Sequence, residues 1–154
     1  MNLVTDDIRI RHFEPADKDN VWEFFSQMGG ETRAFFDRNN GNRNMAMKFF
    51  EDTAIDTNYF LAEHEDKMVG YVFLWDMDKT VPWLGIAVRE DFKGKQIGRK
   101  LMKFAADFAQ SKNKGGILLT THVANFRGQA LYENVGYERL GVHHTGEFLY
   151  LLRF

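Results

Sequence analysis

Residues 81–101, VPWLGIAVREDFKGKQIGRKL, pass from a run that reads as a buried strand, through a short basic loop carrying glycine, into a helix. The helix is set by spacing: Ile97, Leu101, Phe104, Ala105 and Phe108 recur on one helical face, while Arg99, Lys100, Lys103, Asp107 and Gln110 fall elsewhere. That predicts a helix from about Gly98 to Lys112, stopped by Gly115-Gly116. The N–H groups of a first helical turn have no partner inside the helix, and with the macrodipole they act as roughly half a positive charge. Gly94 and Gly98 lack a Cβ, so an anion can approach the main chain closely, and Lys93, Lys95 and Arg99 add formal charge. The loop is therefore a candidate cradle for a diphosphate. Taken alone, the same residues also describe a solvated turn of any α/β protein, so the rest of the chain has to decide.

A chain of 154 residues suits one domain with a real core. Charge is close to balanced, 20 Lys and Arg against 22 Asp and Glu, with both signs interspersed, so there is no broad basic field to hold nucleic acid or an anionic membrane. The absence of cysteine excludes disulfides, thiolate metal sites and a cysteine nucleophile. The N-terminal stretch shows no apolar core of signal-peptide type, and no apolar run approaches the ~20 residues that span a bilayer. The expected location is the cytoplasm. With 15 Phe and 3 Trp, there are more rings than a core of this size needs, so some are expected to line a pocket.

Taken in order, residues 8–14 alternate and read as a first strand. Asp17 is the expected N-cap of a helix whose apolar face is Val21, Phe24, Phe25 and Met28, ended by Gly29-Gly30. Residues 31–52 read as two short helical pieces hinged at 39–42, and their doubled rings Phe35-Phe36 and Phe49-Phe50 either pack onto a sheet or wall a pocket. Strands follow at 58–64 and 68–77, joined as a hairpin, and then at 81–88, with Pro82 placed at the strand's beginning. After the helix, 116–123 reads as a buried strand parallel to 81–88. Asn125 caps a further helix closed by Gly136, and strands at 137–142 and 147–153 finish the chain. The fold class is α/β (α+β), one mixed and mostly antiparallel sheet of about seven strands with a central parallel pair, flanked by about four helices.

Two segments resemble the GNAT superfamily of acyl-CoA N-acyltransferases. The family pattern Gln/Arg-x-x-Gly-x-Gly/Ala stands here as Lys93-Gly94-Lys95-Gln96-Ile97-Gly98, and residues 125–137, NFRGQALYENVGY, are similar to the family's N-x-x-A-x-x-L-Y-E-x-x-G-F/Y stretch. The resemblance covers nearly the whole chain in element order. It implies acetyl-CoA as co-substrate and a central pair of strands that splay apart. The main chain of Ile86, Ala87 and Val88 would pair with the pantetheine arm in the gap, with the Val88 N–H meeting the carbonyl oxygen. The N–H groups of Gly94, Lys95, Gln96, Ile97, Gly98 and Arg99 would hold the pyrophosphate. Asn125 would contact the cofactor, and Tyr132 would lie near the sulfur as general acid. The sequence departs from the pattern in three ways, the mildest being Lys93 in place of Gln or Arg. Gln96 stands where the family usually has glycine, which demands a backbone conformation a side chain can tolerate. Thr120 stands where some relatives carry a glutamate base.

Direct transfer needs a neutral amine. An amine of pKa ~10.4 is protonated at pH 7, and holding it neutral costs roughly 4.6 kcal/mol, so some group must take its proton. The candidates are His122 and Asp76, each at the end of a strand beside the gap. His12, His64, His143 and His144 show no metal-ligand spacing, and no metal is expected. The expected acceptor is a small primary amine, with Trp22, Phe35, Phe36, Trp75 and Trp83 as an apolar wall. Acetylation of a protein N-terminus or lysine, and an acyl-CoA-binding regulatory module without turnover, are the two alternatives. Whether the chain forms a homodimer stays open.

Overall fold

A computed structural model describes residues 7–27, 56–94 and 96–154. The helical pieces expected within 31–52, with Phe35, Phe36, Phe49 and Phe50, lie outside the described residues, as do Met28 and Lys95. The chain runs β1 (Arg9–His12), a 3-10 turn (Pro15–Asp17), α1 (Lys18–Gln27), β2 (Asn58–His64), β3 (Lys67–Trp75) and β4 (Trp83–Val88). It continues through α2 (Ile97–Ser111), β5 (Gly116–Thr121), α3 (Phe126–Asn134), β6 (Glu138–Val142) and β7 (Phe148–Arg153). The seven strands form one sheet in the order β1-β2-β3-β4-β5-β7-β6. Every neighbouring pair is antiparallel except β4 and β5. The strand and sheet expectations hold, and the described residues contain three α-helices where about four were expected.

Alternation along β2 and β3 sends side chains to two different cores. Phe60, Ala62, Val72 and Leu74 face α2, which buries Ile97, Leu101, Met102, Ala105 and Ala109. The large aliphatic members of that stripe stabilise the domain by about 1.5–3 kcal/mol each. Phe104 and Phe108 close over Phe60 with ring centroids at 4.8 and 5.0 Å. Met102 and Ala109 extend the buried stripe beyond the face read from spacing. On the opposite face Leu61 and Met68 pack with Val21, Phe24 and Phe25 of α1.

Asp17 does not cap α1 as expected. It is buried, accepts from the Glu14 N–H at 2.7 Å, and holds both terminal nitrogens of Arg11 at 2.9 and 2.7 Å. Burial alone would push its carboxyl up, but the hydrogen bonds from Arg11 and Glu14 outweigh it and hold the group below the ordinary carboxylate range. The residue ties β1 to the start of α1, a role the N-cap pattern does not distinguish.

The feature that positions the site is the short union of β4 and β5. Gly115 N–H donates to Thr80 O at 2.8 Å and Leu118 N–H to Pro82 O at 2.9 Å, and the only paired residues are Trp83 and Leu118. Beyond that point β4 keeps its register with β3 through Val88, and β5 keeps its own with β7 through Thr121. Each strand is held firmly on its outer side, so the sheet opens on the shared one.

Candidate functional site

The opening leads on one side into a cavity of about 580 Å³. Ile86, Ala87 and Val88 of β4 form one wall, Gln96, Gly98 and Arg99 of α2 a second, and Asn125, Arg127, Gly128 and Tyr132 at α3 a third. Two helix N-termini thus converge on one space, with Lys93, Arg99 and Arg127 around it. No side chain caps the first turn of α2, so its N–H groups remain available to a ligand. Gly94 has φ +81° and nothing within 4 Å of where a Cβ would stand. A diphosphate-bearing ligand fits this set of donors and charges. Lys93 is tied to Glu90 at 2.9 Å. Arg127 joined the quoted motif in the sequence but carried no expected role there, because the side of α3 it would face depends on how α3 packs against α2.

Glycine at 98 serves a purpose besides anion approach. A Cβ there would come within 3.0 Å of Leu131 Cδ2, so the missing side chain lets α2 and α3 pack closely. Gly128 makes room in a similar way, since a Cβ would meet Asn125 Nδ2 at 2.4 Å. Asn125 is the N-cap of α3, as expected: its Oδ1 accepts from the Gly128 N–H at 3.0 Å. Its amide nitrogen donates to Thr121 Oγ1 at 2.9 Å.

Thr121 in turn hydrogen-bonds Tyr132, whose hydroxyl is pushed up to about 12, chiefly by burial. The Thr121 bond pulls in the opposite direction, and Tyr150 and Glu147 add to the rise. With Asn125 donating to the threonine oxygen, the threonine proton is free to point at the phenol oxygen, which leaves the phenol proton for the cavity. Tyr132 stands among aromatic neighbours, with ring centroids 6.3 Å from Tyr137 and 5.9 Å from Tyr150.

On the other side of the opening lies a second cavity, of about 490 Å³, and Ile86, Asn125 and Tyr132 line both. Its floor is an aromatic row on β3, Tyr71, Phe73 and Trp75, the last two stacked at 5.2 Å. A Cβ on Gly85 would stand 2.4 Å from Phe73 Cε1, so glycine is what lets that ring lie across β4. Trp83 stacks on Trp75 at 6.2 Å but does not line the cavity, and Trp22 packs with the α1 core instead. The far wall holds Thr120, His122 and Glu147.

The candidate proton acceptors are placed differently from one another. His122 reaches this cavity, but its Nδ1 accepts the Ala124 N–H at 3.0 Å, and in that neutral tautomer Nε2 carries the ring's proton. Its basic lone pair is therefore engaged. Asp76 lines neither cavity. It has φ +58° and gathers with Asp56 and Asp78 so that a carboxylate oxygen of each lies within 4.8 Å of the others, an arrangement of acidic groups that is common without an ion. Glu147 was not singled out by the sequence. It accepts the Thr120 hydroxyl proton at 2.9 Å, across the paired β5 and β7.

Residues 16–137 match the model of the Acetyltransferase (GNAT) family. The chain belongs to the GNAT acetyltransferase family. It is 32% identical over 149 residues to an uncharacterised protein of Mycobacterium leprae, covering 90% of this chain and 38% of that one. It is 29% identical over 99 residues to the N-alpha-acetyltransferase RimI of Mycobacterium tuberculosis, covering 61% of each. The chain thus spans between about a third and two thirds of the length of these curated relatives. Among solved structures, the PaiA N-acetyltransferase of Thermoplasma acidophilum in complex with coenzyme A superimposes with TM-score 0.74 at 16% identity, covering 96% of this chain and 99% of that one. At that identity the likeness is one of fold. Against the GNAT pattern, Gln96 adopts φ +69°, ψ 7°, the left-handed conformation that glycine takes most easily. A side chain in that conformation carries a local strain of about 1 kcal/mol.

Proposed function

We propose that this GNAT chain transfers the acetyl group of acetyl-CoA to a primary amine by direct attack. The observation that carries the reading is the splayed β4–β5 pair, whose gap joins a cationic, N–H-rich cavity to an aromatic one at Ile86, Asn125 and Tyr132. Acetyl-CoA supplies the activated acyl group as a thioester. The first turns of α2 and α3, with Arg99 and Arg127, would grip its phosphates, and the free edge of β4 at 86–88 would align the pantetheine arm.

Tyr132 would hand its proton to the departing sulfur. Between a phenol at about 12 and a thiol near 8.5 the transfer is uphill by about 5 kcal/mol in water-like terms. The same burial that lifts the phenol also disfavours a bare thiolate, so the two affinities approach one another inside the groove.

Tyr71, Phe73 and Trp75 favour a small acceptor with an aromatic or apolar part. The likeness to the N-alpha-acetyltransferase RimI supports a second reading, in which the acceptor is the α-amino group of a protein. Titration calorimetry with coenzyme A, followed by thiol release from acetyl-CoA with phenethylamine and with a peptide bearing a free N-terminal alanine, tests both. Binding with release to phenethylamine supports the first reading, and release to the peptide alone supports the second. Binding without release to any amine leaves a regulatory acyl-CoA module, and absence of binding at millimolar coenzyme A overturns all three.

A further inference from the structure

Among the described residues that line the aromatic cavity, Glu147 is the only one with a formal charge, and no Lys or Arg stands with it. A half-buried carboxylate in an aromatic chamber needs a partner. Among the described residues its side chain accepts a hydrogen bond from Thr120, which leaves the second carboxylate oxygen and further lone pairs for another donor. The main chain fixes the residue from both ends: the His143 N–H donates to Glu147 O at 2.7 Å, and the Glu147 N–H reaches Thr145 Oγ1 at 3.4 Å. Carboxylate and phenol line the same chamber. The titratable groups that line the chamber with it are His122 just after β5, Tyr132 from α3 and Tyr71 from β3, while His143, in the turn before β7, meets it through its main-chain N–H.

We infer that Glu147 receives the acceptor's ammonium group and takes its proton, which makes it a catalytic residue and selects acceptors that arrive as cations. The inference rests on the acetyl-transfer reading above. The ammonium sits between the carboxylate and the ring faces of Tyr71, Phe73 and Trp75, which attract cations. Moving one proton from nitrogen to Glu147 removes two opposite charges from a chamber that solvates neither well. The neutral amine forms its N–C bond as the C–S bond breaks, and the sulfur takes its proton from Tyr132. The second nitrogen proton restores Tyr132, and the proton on Glu147 leaves to solvent, so the net products are the amide, a thiol and one proton. His122, with Nδ1 committed to the Ala124 N–H, leaves Glu147 as the available acceptor on that wall.

The test compares wild type with Glu147→Gln, using phenethylamine and the alanine peptide as probes and coenzyme A calorimetry as a control. With the better probe, kcat/KM near pH 7 should fall roughly 100-fold in Glu147→Gln, and the remaining activity should climb with pH toward the amine's own pKa, since only the free amine can then attack. Coenzyme A affinity should stay within about twofold, since the variant is far from the phosphate cradle. Thr120→Glu in the Glu147→Gln background, which returns a carboxylate to the same wall, should recover at least about tenfold. Retention of more than half the wild-type kcat/KM with an unchanged pH profile overturns the proposal. So does a parallel loss of coenzyme A affinity, which would make the residue structural. A wild type that binds coenzyme A yet acetylates neither probe overturns the parent reading, and this inference with it.

Discussion

The two cavities that meet at Tyr132 are built from different materials. The cavity at the helix starts uses main-chain N–H groups of α2 and α3 and the unpaired edge of β4, with Lys93, Arg99 and Arg127 around the rim. The aromatic cavity uses side chains that β3, β5, α3 and the turn before β7 bring together. A site made of backbone tolerates sequence change as long as the loop keeps its shape, which is how glutamine can stand at 96. A chamber of side chains changes its ligand with every substitution. On the proposed reading, the pairing would let one fold keep its co-substrate while its acceptors diverge.

Substitutions that strike one side and spare the other sharpen that contrast. The largest effect is expected from Tyr132→Phe, at the junction: kcat should fall about 100-fold or more while coenzyme A affinity measured by calorimetry stays within about twofold. Equal turnover would remove the phenol as proton donor. Next comes Gly85→Ala, whose new Cβ lands on Phe73 and forces the ring into the acceptor chamber. Acceptor kcat/KM should drop about tenfold with the cofactor side untouched, since misplacement by about an ångström in a reacting site has costs of this order. An equal loss of coenzyme A affinity would show that the chambers are not separable.

A third substitution, Asn125→Ala, affects both sides more mildly. It removes the cap of α3 and the bond to Thr121, and should lower stability in urea by about 1 kcal/mol. The smallest effect is expected from Gln96→Gly, which relieves the left-handed residue and should stabilise the fold by up to about 1 kcal/mol, with coenzyme A affinity unchanged or tighter. Destabilisation instead would mean that the Gln96 side chain supports the loop.

The same division governs what the sequence made legible. The hairpin of β2 and β3, the face of α2, the Asn125 cap and the positive φ of Gly136 are local devices, written in residues a few positions apart. The strand-loop-helix unit at 83–111 belongs with them, because its parts are adjacent in the chain. Asp17 was misjudged because a cap and a buried ion-pair partner look alike until Arg11 is seen beside it. Glu147 could not be read at all. It meets Thr120 only because β7 inserts between β5 and β6, a strand order that no local pattern encodes. Thr120, which stands where some GNAT relatives carry a glutamate, has a carboxylate neighbour supplied by the turn before β7.

The close approach of Gly98 to Leu131 has a kinetic consequence. Leu131 is the residue before Tyr132, so whatever steadies the beginning of α2 also steadies the turn of α3 that presents the phenol. A nucleotide settling first would thus set the proton donor for whichever amine follows, and initial-rate patterns should show an ordered sequence of arrivals.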